Sequence, residues 1–155
     1  MRLTILNTEL DNDGLYSLVK ERSVNYETQM LNNACAVADI MRNVFRLHRQ
    51  TEEHAYVIAV NKKFKPIGFF HLSHGSHDSS IVNPREIYIK LLLCGACGFF
   101  LVHNHPSGDC MPSKADLSVT QRVAECGKLL GVNFFDHIII GGETFYSFAE
   151  LSNIL

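Results

Sequence analysis

An apolar run over residues 91–102 ends in His103, Asn104 and His105, and after a loop of Pro, Ser, Gly, Asp and Cys come Ser113 and Asp116. The run is too short for a bilayer span, which takes about 20 apolar residues. It reads as a helix end leading into a short buried strand over 98–102. Side chains two apart on a strand point to the same side, so the strand end presents both imidazoles together. Ser113 opens the next helix, and Asp116, within its first turn, can reach back toward the strand. Two histidines and an aspartate are ligands that Zn²⁺ accepts, with a fourth position left for water. This strand–loop–helix unit calls for a mixed α/β protein.

At 155 residues and 46 % hydrophobic content, the chain is long enough for one domain with its own core. The formal charge is −2 with Lys and Arg scattered, so no basic stripe announces nucleic acid. The N-terminus has neither an apolar signal core nor a small-residue cleavage site. The five cysteines are odd in number and lie mostly in apolar runs, as expected of free thiols in a reducing cytoplasm. A cytoplasmic protein with no membrane segment is expected.

Along the chain, strands are expected at 1–9 and 15–24, joined by the turn residues Asp11, Asn12, Asp13 and Gly14. A helix capped by Asn32 or Asn33 should run to about Arg49 with Ala36, Ile40, Val44 and Leu47 on one face. Strands at 55–60 and 67–72 form a hairpin, and 74–83 is a loop. Pro84 suits the first turn of a helix to about Ala96. The helix from Ser113 stops at Gly131. A strand at 132–140, the turn Gly141-Gly142, a return strand at 144–148 and a short helix at 149–155 complete the chain. The irregular alternation implies a mixed sheet between helices.

A zinc ion held by His103, His105 and Asp116 keeps a net positive charge, which lowers the pKa of its bound water. That water needs a base to take its proton and pass it to the leaving group. Glu53, just ahead of the central apolar strand, suits this role, with its neighbour Glu52 as the alternative. Ser113 could hydrogen-bond a developing oxyanion or orient the water. A plainer reading is open too: Ser113-x-x-Asp116 is also a helix capping box. Asp116 discriminates, since a cap points at its own backbone and a ligand at the metal. Cys94-x-x-Cys97 has no second pair and reads as two small buried residues. Cys110 is either a plain loop thiol or a fourth ligand. His71, His74 and His77 read as loop residues, because positions i and i+3 do not share a strand face. His137, in an apolar run, reads as a core histidine rather than a ligand. Glu86 suits a helix N-terminus, and Arg85 pairs with an acid or touches substrate.

The pattern His103-x-His105-x7-Ser113-x2-Asp116, with Glu53 upstream, resembles the JAMM (MPN+) metalloprotease motif. The words Pro84-Arg85-Glu86, 103–109 (HNHPSGD) and 136–141 (DHIIIG) are similar to the RadC family of bacterial JAB-domain proteins. The resemblance covers residues 32–155, preceded by N-terminal strands and a connection at 1–31 within one globular unit. It implies a three-layer α/β/α sandwich with a mixed sheet, the cytidine-deaminase-like JAB/MPN fold. It also implies one zinc on His103, His105 and Asp116, Glu53 as general base and Ser113 as transition-state stabiliser. Relatives in the wider superfamily cleave peptide or isopeptide bonds. Asn83 stands where a His often precedes Pro-Arg-Glu.

The expected function is therefore a zinc-dependent hydrolase, a peptidase or isopeptidase acting on a peptide or protein. An extended peptide laid along a sheet edge is the expected mode of binding. The rival is a DNA-repair-associated or mobile-element accessory protein that uses the fold for binding. With no basic stripe and no helix-hairpin-helix element in this sequence, strong autonomous DNA binding is not expected. A nucleobase deaminase would need a His-x-Glu and a Cys-x-x-Cys ligand pair, and the former is absent.

Overall fold

Pairing of β1 (Arg2–Leu10) with β2 (Tyr16–Asn25) starts at Asp11, whose carboxylate accepts from the backbone N–H groups of Asp13 and Leu15 at 2.9 Å each. A side-chain acceptor in place of a backbone one is what Asp brings to a turn. The hairpin lies at one end of a seven-stranded sheet in the order β2-β1-β4-β3-β5-β6-β7. The computed structural model describes residues 1–27, 30–75 and 82–155. Its other strands are β3 (Glu53–Val60), β4 (Pro66–Gly75), β5 (Gly98–Asn104), β6 (Asn133–Gly141) and β7 (Thr144–Ser147). The pairs β1–β4 and β5–β6 are parallel and the rest antiparallel, so the sheet is mixed as expected.

Strand alternation sorts the core into two layers. Ile58, Val60, Phe69, Phe100, Val102, Ile138 and Ile140 pack under α1 (Ala34–Asn43). Ala55, Val57, Phe70, Phe99 and Leu101 face α2 (Pro84–Leu93) and α3 (Lys114–Leu130) on the other side. The result is helix, sheet, helix, the three-layer α/β architecture of the JAB/MPN fold. β5 is buried along its whole length, which is why its sequence is a continuous apolar run rather than an alternation.

Several boundaries differ from the sequence expectation. The first helix is capped by Asn33, whose side chain accepts from the Ala36 N–H at 2.8 Å, but it ends at Asn43 rather than near Arg49. Arg46 takes a left-handed φ of 52°, and a 3-10 turn follows over Leu47–Arg49. The break lets Phe45 and Leu47 enter the core, Phe45 stacking on Phe69 at 5.2 Å. The buried residues of α1 are Ala34, Val37, Ala38, Ile40 and Met41; of the stripe read from sequence, Ile40 and Leu47 are fully buried, and Ala36 and Val44 pack half-buried against the same core. α2 stops at Leu93, three residues short of Ala96, before Gly95 at φ 64°. The last helix, α4, is only Phe148–Leu151. Buried Asp136 anchors it, accepting from the Ser147 hydroxyl at 2.6 Å and the Ala149 N–H at 2.9 Å.

Candidate metal centre

β5 carries His103 as its next-to-last residue, paired with Ala55 on β3 and Ile139 on β6. His105 lies one step past the strand, yet its N–H still reaches Ile140 O at 2.9 Å, so it continues the line of β5. The loop that follows closes over Gly141, where a Cβ would stand 2.6 Å from both Cys110 N and Gly108 O. Glycine there lets the loop settle against β6 and bring Asp109 O to 2.8 Å from His105 Nδ1. α3 then begins at Ser113 and directs Asp116 back at the two rings.

The three side chains converge. His103 Nε2 and His105 Nε2 are 3.1 Å apart, Asp116 Oδ1 is 3.2 Å from the first and Oδ2 is 3.4 Å from the second. They form the one group of potential metal ligands among the described residues. A tetrahedral ion with ligand bonds of about 2.0–2.1 Å has ligand–ligand edges of about 3.3–3.4 Å. A carbonyl only accepts, so the Asp109 contact places a proton on His105 Nδ1, and a neutral ring then has a bare Nε2. The Nδ1 of His103 is likewise turned outward, 2.9 Å from His137 Nε2. The inward atoms are thus ring nitrogens and carboxylate oxygens, acceptors that repel one another until a cation or a proton sits among them. This donor set fits a divalent ion of the zinc type.

The same electrostatics appear in the acid–base behaviour. The Asp116 carboxylate raises the His105 imidazole above its ordinary value against the opposing effect of burial. Burial pushes the Asp116 carboxyl up, but the two imidazoles, when a proton sits on their inward nitrogens, and the Ser113 hydroxyl outweigh it and hold the group well below the usual carboxylate range. A proton on His105 is therefore the competitor of a metal ion. Since the folded pKa is raised, the proton is bound up to a higher pH than in a free imidazole. Zinc affinity is expected to fall as pH drops through that raised value and to level off above it. Zinc titrations across a pH series check this; an affinity flat through and below the ordinary imidazole range contradicts it.

Asp116 turns out to be cap and centre at once. Its Oδ2 accepts from the Ser113 N–H at 2.7 Å and the Ser113 hydroxyl at 2.6 Å, closing a capping box with the Asp116 N–H on Ser113 Oγ at 3.1 Å. Its Oδ1 is turned to His103. The opposition between cap and ligand set up from sequence does not hold, because a carboxylate has two oxygens. In this structure the Ser113 hydroxyl is committed to Asp116.

Glu53 is the first residue of β3 and half-buried. Ala55 pairs with His103 across antiparallel strands, so two residues further out Glu53 comes level with His105. Its charge helps raise the His105 imidazole. Glu52 goes the other way: it is exposed, with Oε2 3.4 Å from His74 Nδ1. Asn104, buried between the two histidines, fixes this parting. Its side-chain oxygen accepts from the His54 N–H at 2.8 Å and its amide donates to Glu52 O at 3.0 Å. These two bonds grip the backbone on both sides of Glu53.

Cys110 is no part of the group; its sulfur lies 3.5 Å from the Thr144 hydroxyl oxygen. Cys94 and Cys97 donate to the backbone oxygens of Leu91 and Val60, each at 3.4 Å. Arg85 pairs with Glu86 at 3.2 Å. The rule against His71 and His74 sharing a face fails: both are in β4, and a bulge between the pairs Ala55–Ser73 and Tyr56–His71 shifts the alternation by one. Their rings stack at 5.9 Å, His54 lies 3.0 Å from His71 Nε2, and this cluster is separate from the metal group. His77 lies outside the described residues. His137, read from sequence as a core histidine, is fully buried and no ligand, yet it touches His103. The local word around it carried no sign of that contact.

The RadC-like JAB domain matches residues 31–153 of the chain. A UPF0758 protein of Clostridium acetobutylicum is 46 % identical over 105 residues, covering 68 % of this chain and 46 % of the relative. The UPF0758 protein of Bacillus licheniformis is 46 % identical over 100 residues, 64 % of this chain and 45 % of its own length. For YsxA of Bacillus subtilis the figures are 43 % over 100 residues, 64 % and 43 %. The chain thus spans under half the length of these curated relatives. With the ligand geometry, the mixed sheet and this match in agreement, the chain belongs to the family of RadC-like JAB domain proteins.

Proposed function

We propose that this chain is a zinc-dependent hydrolase of amide bonds, a peptidase or isopeptidase, with His103, His105 and Asp116 as the metal ligands. The observation that carries the reading is the convergence of two imidazole nitrogens and a carboxylate, all acceptors, at 3.1–3.4 Å beside a half-buried glutamate. A bound zinc ion supplies Lewis acidity and lowers the pKa of a water it holds. Glu53 takes the proton from the attacking water and delivers it to the departing amine nitrogen, as a general base and then acid. Asn104 holds the Glu53 backbone in place. Ser113 sets the Asp116 carboxylate, and by turning its hydroxyl toward the substrate it would donate to the carbonyl oxygen as negative charge builds there.

The partner in this reading is a peptide or protein. Met111 and Leu117, 62 % and 39 % exposed on the loop and first turn beside Asp116, offer it apolar contact. An edge-strand mode is not available at the centre itself: β3 lies between β4 and β5, and β5 between β3 and β6. A substrate chain would cross the strand ends. Free thiols at all five cysteines support a cytoplasmic setting, and among the described residues no helix is long and apolar enough to cross a membrane. The test is metal content together with hydrolysis. Protein loaded with zinc should hold about one ion per chain and cleave a panel of peptide and isopeptide bonds in a chelator-sensitive way. Zinc bound elsewhere, or cleavage indifferent to chelation, overturns the proposal.

A further inference from the structure

We propose that His137 and Thr120 are positioning residues that hold His103 in the tautomer whose Nε2 lone pair faces the metal centre. This rests on the reading of His103 as a ligand. It adds a proton-directed chain, assembled from α3, β6 and β5, that decides which nitrogen of His103 is available.

The direction of the chain follows from its last member. Thr120 Oγ1 lies 2.5 Å from Asp116 O, a carbonyl with no proton to give, so the hydroxyl proton points there. Thr120 then has none left for His137, whose Nδ1 is 2.6 Å from the same oxygen. That second contact needs its proton on His137 Nδ1. A neutral imidazole carries one N–H, so His137 Nε2 is bare. It faces His103 Nδ1 at 2.9 Å, and the proton of that contact belongs to His103. His103 Nε2 is therefore left unprotonated, 3.2 Å from Asp116 Oδ1 and 3.1 Å from His105 Nε2.

The surroundings leave the chain little freedom. His137 is wholly buried, and the ring of Phe148 stacks on it at 4.9 Å with 8° between planes. Thr120 is also wholly buried. The path starts at the Asp116 backbone and returns to the Asp116 carboxylate, so it ties the first turn of α3 to the strand it faces. Partners of this kind fix ligand orientation and tautomer, and their loss costs metal affinity about 10- to 100-fold.

Thr120→Val tests this, since it keeps shape while removing both the acceptor for His137 and the donor for Asp116. Thr120→Ser restores the hydroxyl. His137→Phe removes the chain outright while filling the space, whereas His137→Gln can still accept from His103 and donate to Thr120. Two readouts are needed. In the metal-free full chain, nitrogen-15 NMR at alkaline pH should show His103 and His137 protonated on Nδ1. Thr120→Val should shift His103 toward the Nε2-protonated form. Zinc affinity should fall about 10- to 100-fold in Thr120→Val and His137→Phe, and Thr120→Ser should recover most of it. A wild-type His103 protonated on Nε2 overturns the proposal, as does unchanged zinc affinity in folded Thr120→Val. The NMR readout needs no metal, so a wild-type chain that binds no zinc would sink the ligand reading while the tautomer result still stood or fell by itself.

Discussion

Glu53→Gln should retain its zinc and lose hydrolysis. The substitution keeps the size of the side chain at the head of β3 but removes the group that accepts a proton. Positioned acid–base groups contribute about 10²- to 10⁴-fold to rate, and turnover should fall by that order. Zinc content should stay near that of the wild type, because among the described residues the group at 3.1–3.4 Å is made of His103, His105 and Asp116, without Glu53. A modest downward shift of the His105 imidazole should accompany the change, since the Glu53 charge now helps to raise it. Metal analysis beside single-turnover kinetics measures both effects. Undiminished turnover would remove Glu53 from the base role; Glu52 is exposed and paired to His74.

Asp116→Asn should abolish zinc binding at ordinary concentrations while leaving the fold nearly as stable. Site energies of about 10–16 kcal/mol for four-ligand structural zinc put one ligand at roughly a quarter, about 2.5–4 kcal/mol, or about two to three powers of ten in affinity. The asparagine has one acceptor and one donor where the carboxylate has two acceptors. Its oxygen can still accept from the Ser113 N–H, as Oδ2 now does. Its amide then meets the bare nitrogen of His103, filling the place of the ion with a hydrogen bond. Asp116→Ala also loses the side-chain half of the capping box, the contacts of Oδ2 with Ser113, and should cost about 1 kcal/mol more. Zinc titration and thermal unfolding of the two variants separate these contributions. Tight zinc binding by Asp116→Asn would show that the carboxylate serves only as a cap.

The convergence of His103, His105 and Asp116 was legible in the sequence because their spacing is local. A strand end followed by a loop and a helix start carries His103, His105, Ser113 and Asp116 within the single segment 103–116. The same locality made Asn33, Pro84 and Gly131 readable as helix boundaries. Where α1 ends was not readable, because its stop at Asn43 is set by Phe45 finding Phe69 in the core. The histidine cluster on β4 depends on a bulge against β3, and a bulge is a property of the pair of strands rather than of either one.

The choice between Glu53 and Glu52 needed the tertiary structure too. Adjacent strand residues face opposite sides, so only the register of β3 on β5, with Ala55 beside His103, says which carboxylate looks at the centre. His137 shows the limit most clearly. Its apolar flanks announce burial correctly, and burial by itself is silent about hydrogen bonds. The sequence alone determined which donor types meet, since residue identity and short spacing dictate that chemistry. Only the folded chain decided which nitrogen of His103 is free to bind, because the proton is placed by Thr120 and His137, 17 and 34 residues away, through contacts that exist once α3 lies on the sheet.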